Sequence, residues 1–164
     1  MGHDEIRVPD ASMTDEAAAW HKRFAMSCNN RAWDLAAAPR TAAEEREMMD
    51  AAHASAWHWA QVGTEQNRMR ATMLLAEVHA LAGHGASAMA YAREMRSYFL
   101  GRDTPDWELA FTHAICAHAA HASGDAAEHR AAYRLAAEAL DAIADADERA
   151  IVARTFAQVP APQG

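Results

Sequence analysis

Apolar residues along this chain fall at intervals of three and four, the spacing of one helix face, and no alternating apolar–polar run reaches strand length. Thr14, followed by Asp15 and Glu16, opens a first helix: the hydroxyl can accept from orphan amides, and acids suit the positive end. Trp20, Phe24 and Cys28 follow at steps of four, then Trp33, before Pro39 stops the helix; Asn29-Asn30 is a point where it could bend or break. Thr41 with Glu44 is a capping-box pattern and opens a second helix to about Ala60. Beyond Val62-Gly63, Thr64 caps a third helix ending near Gly83, and His84-Gly85 connects it to a fourth, Ala86 to Leu100. Thr104-Pro105-Asp106 starts the fifth, with proline at the first helical position, where a missing N–H costs nothing. Ser123-Gly124-Asp125 turns the chain into the sixth, and Asp145 with Glu148 caps a seventh to about Gln158. About seven helices with short connections predict an all-α fold of antiparallel neighbours. Residues 1–12 read as a loose arm, 13–158 as one domain, and 159–164, with two prolines, as a frayed tail.

Within this pattern one helical unit occurs twice. Ala71 to Gly83 runs into a second helix from Ala86, and Thr112 to Gly124 runs into Asp125 to Ala144 at an offset of 41 residues. Small residues let helices approach closely and a glycine ends the first helix, the way stacked helical hairpins are built. The unit resembles the tetratricopeptide class, in which a glycine follows the first helix and a small residue begins the second helix's packing face. Gly83 with Ala88 fits; Gly124 fits, but its counterpart of Ala88 is His129. The offset exceeds that repeat's usual ~34 residues and its Trp-Leu-Gly-Tyr signature is absent, so the expected fold is a tetratricopeptide-like right-handed array. A broader resemblance spans about Asn30 to Ile151, carried by Asn30-Arg31-Ala32-Trp33-Asp34-Leu35, Ala52-His53-Ala54-Ser55 with His58-Trp59, Val62-Gly63-Thr64, Arg70-Ala71 and Asp106 with Glu108-Leu109-Ala110-Phe111. These segments look like an uncharacterised bacterial family of small helical proteins. That resemblance implies the fold and a cytoplasmic origin and supplies no chemistry.

Composition narrows the picture. Alanine fills 44 of 164 positions, and with Leu, Met, Glu and Arg it favours helix. A chain of this length buries roughly 70% of its unfolded surface as one domain. The net charge of −8, with no Lys/Arg cluster to offset it, argues against nucleic acid as a partner. No apolar run approaches the ~18 residues of a membrane span, and the N-terminus lacks a signal-peptide core, so the expectation is a cytoplasmic protein without a membrane partner. Cys28 and Cys116 read as buried, reduced thiols, and no zinc-type cysteine spacing exists.

Ten histidines and five tryptophans carry the candidate chemistry. His118 and His121 lie on adjacent turns, His113 is about 80° round the same helix, and His79 sits on the equivalent helix of the preceding unit. Imidazoles so placed can bind zinc, copper or nickel, given three or four ligands; otherwise they fill helix contacts. A second group is His53, Ser55, His58 and Trp59, near Trp57. Indoles would wall a pocket, imidazoles move protons, and Arg70 on the next helix would meet an anion. The alternative is a core tryptophan and histidines that satisfy buried polar groups. Arg31 and Asp34, beside Trp33, can pair across one turn. The nine methionines suit adaptable packing. Neither a nucleophile elbow nor a phosphate-binding loop surrounds any serine or glycine.

Two functions follow as expectations. The first is a non-enzymatic module whose stacked hairpins hold a protein or peptide, of basic or mixed charge given the acidic average. The second is a small-molecule or metal site, with scope for acid–base catalysis, lined by His, Trp and Arg. Convergence of His53 and Arg70 on one cavity would favour the second. A homodimer through alanine-rich faces is compatible with either.

Overall fold

The computed structural model describes residues 13–163, so the N-terminal arm read at 1–12 lies outside the described residues. Seven α-helices and no strand occur among them: α1 (Asp15–Ala36), α2 (Ala42–Val62), α3 (Glu65–Leu81), α4 (Gly85–Leu100), α5 (Asp106–Ser123), α6 (Ala126–Ala142) and α7 (Ala146–Phe156). None of these helices is long and apolar enough to cross a membrane.

Local chemistry sets most boundaries. The Thr14 hydroxyl accepts from Ala17 N at 3.1 Å, and Thr41 and Glu44 close a reciprocal capping box. Thr64 forms a second box, its partner being Asn67 rather than an acid. Asp145 accepts from both Asp147 and Glu148 amides. Two readings shift. α1 continues through Asn29-Asn30, and Pro105 takes the capping position instead of the first helical one. Mid-helix asparagines are tolerated because Ala25, Ala32, Leu35 and Ala36 on the same helix are buried, and packing outweighs propensity.

The hairpins stack by neighbour. α1 packs on α2 and α3, α3 on α4 and α5, and α5 on α6 and α7. α2, α4 and α6 keep their backbones apart and meet through side chains, Arg96 of α4 pairing with Glu128 of α6 and His53 of α2 meeting Tyr91 of α4 edge-on. The odd-numbered helices thus form a continuous layer. Gly83 (φ 74°) and Gly124 (φ 78°) end α3 and α5 in the left-handed region that favours glycine. Gly85 serves differently: a Cβ there would sit 2.3 Å from the Ala122 carbonyl oxygen, so its absence lets α4 start against the end of α5. The 41-residue offset also has a structural consequence. Glu77 on α3 and His118 on α5 occupy equivalent positions, and they pair across the layer, His118 Nδ1 to Glu77 Oε2 at 3.1 Å.

Ala76, Ala88, Ala92, Met95, Phe99, Ile115 and their neighbours form the main core across α3 to α7, while Ala32, Leu35, Met48, Ala52, Leu74 and Val78 join α1, α2 and α3. At the C-terminal tail, Val159 is buried and the Pro160 carbonyl accepts from His129 Nε2 at 2.8 Å. The chain after α7 is anchored at its first residues.

Candidate functional site: a groove across the odd-numbered helices

Trp33 on α1, Met73 on α3 and Phe111 on α5 face one another across the layer of odd helices. With Trp107, Asn29, Arg70 and Glu108 they line a cavity of about 200 Å³. Trp33 and Phe111 meet edge-on at 5.8 Å between centroids, and Trp107 meets Phe111 perpendicularly at 6.2 Å. Edge-to-face packing of this kind fixes the rings without closing the space between them. A second cavity of about 210 Å³, lined by Trp107, Phe111, Glu148 and Ile151, continues the groove onto α7.

An ion pair forms part of the groove's polar edge, beside Asn29. Arg70 donates to Glu108 through Nε at 2.6 Å and Nη2 at 3.2 Å. The Glu108 side chain is 1% exposed and the Arg70 side chain 42%. The guanidinium also lies 5.5 Å from the Trp107 ring centroid. Its bond to Glu108 raises the Arg70 pKa, so the cation is permanent, with part of its fork turned to solvent beside the apolar wall.

The candidate residues disperse around this groove. Ser55 is fully buried and donates to the Ala25 carbonyl at 2.9 Å, tying α2 to α1. His58 meets His21, Nδ1 to Nδ1 at 2.9 Å, beside Phe24 and Trp57. Trp59 is half-buried against the turn at Gly63. His53 and His79 approach Nε2 to Nε2 at 3.1 Å, and His79 Nδ1 lies 3.3 Å from His84 Nδ1, giving a line of three imidazoles over Tyr91. Burial, then the charges of His53 and His84, lowers the His79 pKa. His53 does not line the cavity that holds Arg70.

The histidines of α5 also separate. His118 binds buried Glu77, whose Oε1 has no partner. His113 is buried, and burial followed by the Arg96 charge lowers its pKa. His121 is exposed, 5.0 Å from the His129 ring. Among the described residues no group of three or more His, Cys, Asp or Glu is arranged to hold a metal ion. Cys116 is buried and its thiol is pushed up to about 12 by desolvation, which makes it a packing residue rather than a nucleophile.

Sequence reading missed Trp107, Phe111, Met73 and Glu108 as a set, and missed His21 and His84 as partners. Trp107 and Glu108 carry one usable signal: they are a tryptophan and an acid in the first turn of the helix that goes on to carry the second copy of the repeated unit. Nothing local joins them to Trp33 or Arg70, which lie far away in the chain. No protein-family model, curated protein or solved structure matches the chain.

Proposed function

We propose that the chain is a tetratricopeptide-like interaction module that binds a protein or peptide segment in the groove across α1, α3, α5 and α7. The neighbour order supports the array: odd helices contact in series, while the backbones of the even helices stay apart. The carrying observation is the cavity of about 200 Å³ walled by Trp33, Met73, Trp107 and Phe111, with the Arg70 guanidinium at its rim. That volume suits one large apolar side chain, and aromatic and arginine residues around a pocket are what binding hot spots are made of. The bound segment would place a Leu, Met or Phe anchor in the pocket. A polar acceptor on it would meet the free edge of Arg70, while its basic residues would meet the acidic remainder of the surface.

The test is selection of short peptides from a displayed library, then titration of the selected sequences by fluorescence anisotropy. Binders should carry a large apolar anchor and weaken at least about tenfold in Trp107→Ala, a loss typical of truncating a buried aromatic contact. Trp57→Ala, far from the groove, should leave them unchanged. Binders indifferent to Trp107→Ala, or none at all, would end this reading.

A second reading, a small-molecule or metal site, draws on the His53–His79–His84 line. The 3.1 Å between the Nε2 atoms of His53 and His79 lets both reach one ion, while His84 faces the other nitrogen of His79, so the line offers an ion two ligands where zinc sites use three or four. Zinc titration of untagged protein by calorimetry, compared with His79→Ala, tests it directly; no binding that depends on His79 would remove it.

A further inference from the structure

The outward side of the first hairpin is unlike the rest of the surface. Trp20 (45% exposed), Phe24 (46%) and Trp57 (58%) lie together at one end of α1 and α2. They are ordered rather than splayed: Trp20 stacks on Phe24 at 5.6 Å, Phe24 meets His58 at 5.5 Å, and Trp57 meets His21 at 5.4 Å. At the other end α1 carries Arg31 and α2 carries Glu47 and Asp50, around a shallow depression floored by Cys28, Ala51 and Ala54. Arg31 and Glu47 pair across the hairpin at 2.7 and 2.9 Å, both half exposed.

In this fold α3 covers one side of the first hairpin, and among the described residues no helix covers the other. We propose that a second copy of the chain covers it. A two-fold axis parallel to the helices sets α1 of each copy on α2 of the other, making an antiparallel four-helix bundle. That axis brings Trp20 and Phe24 onto the partner's Trp57, and Arg31 onto the partner's Glu47 and Asp50, with Arg46 in the same depression, so apolar meets apolar and opposite charges meet across the seam.

The area is sufficient. Helices of 21 and 22 residues are about 32 Å long and each about 10 Å wide, so the hairpin face covers about 640 Å² per copy. Two copies then bury about 1,300 Å², inside the range of stable specific interfaces. Three half-exposed aromatics at one end of the face supply an apolar patch that desolvates on contact, which a crystal-type contact lacks. The local charges are mixed in sign, so the overall −8 acts only at range and is screened within about 8 Å at physiological salt.

Sedimentation equilibrium of the full chain tests this. The expected mass is twice 17.9 kDa. Trp57→Glu should give monomer with an unchanged helical circular dichroism signal, because the replaced ring is surface-exposed. Arg31→Glu should weaken the dimer at least about tenfold by placing acid on acid, and Arg31→Glu with Glu47→Arg should restore it. Monomer at every concentration would overturn the proposal, leaving the face to residues 1–12 or a foreign partner. So would a dimer untouched by Trp57→Glu, or a charge reversal that fails to rescue Arg31→Glu.

Discussion

The Arg70–Glu108 pair makes a prediction that exposure alone decides. Its two sides are unequal: the carboxylate is 1% exposed and the guanidinium side chain 42%. Arg70→Ala strips a buried carboxylate of two N–H donors and of the cation beside it. Breaking a fully buried pair costs about 3–5 kcal/mol, and the solvent reaching Arg70 lowers that to about 2 kcal/mol here. Glu108→Leu leaves the arginine with water at its open side and an apolar neighbour below, and should cost less than about 1 kcal/mol. Combining the two removes the stranded charge, so the double variant should be more stable than Arg70→Ala alone. The assay is thermal and urea unfolding followed by circular dichroism. At this size about 2 kcal/mol corresponds to a midpoint drop of about 4–8 °C, with the urea slope unchanged. Equal losses for the two single variants, or a larger loss for Glu108→Leu, would refute the reasoning. A double variant no better than Arg70→Ala would do the same.

Other consequences can be checked with the same samples. Gly85→Ala drives a Cβ to 2.3 Å from the Ala122 carbonyl oxygen and 2.6 Å from Ser123 Cα, both backbone; overpacking of this kind should destabilise by about 1–3 kcal/mol, read from urea midpoints. His79 and His113 both have folded pKa values below the ordinary histidine value, each mainly through burial. The unfolded chain therefore binds more protons near pH 6, and the stability these sites contribute above about pH 6.5 is lost as pH falls through their folded values. Unfolding midpoints at pH 7.5 and 5.5 should diverge less in His113→Gln than in the parent, and an identical difference would count against the assignment. Cys28 is partly exposed while Cys116 is buried with a thiol raised to about 12. Ellman titration should find one reactive thiol in the native protein and two in guanidinium, and a fast-reacting second native thiol would contradict the burial.

Helix boundaries were legible in the chain because they are local. Thr14, Thr41, Thr64 and Asp145 each satisfy amides two or three residues away, and Gly83 and Gly124 each relieve their own backbone. Short turns then force antiparallel neighbours, so seven helices and their order follow from sequence. Glu77 and His118 are 41 residues apart, the repeat offset, so they hold equivalent positions on α3 and α5; that they meet is set by how those helices pack. Everything else at the candidate site needed the tertiary structure. His53 and Ser55 are two residues apart, so on a helix they point about 160° apart in rotation, one to His79 and the other into the contact with Ala25. Proximity in sequence thus grouped residues that the helix separates. Arg70 and Glu108 are 38 residues apart and Trp33 and Phe111 further still, and no periodicity specifies which face of α5 turns toward α1. That choice belongs to the packing of small residues between α3, α4 and α5, where Ala76, Ala88, Ala92, Ala117 and Ala120 let the helices close and so fix which side chains are left to line the groove.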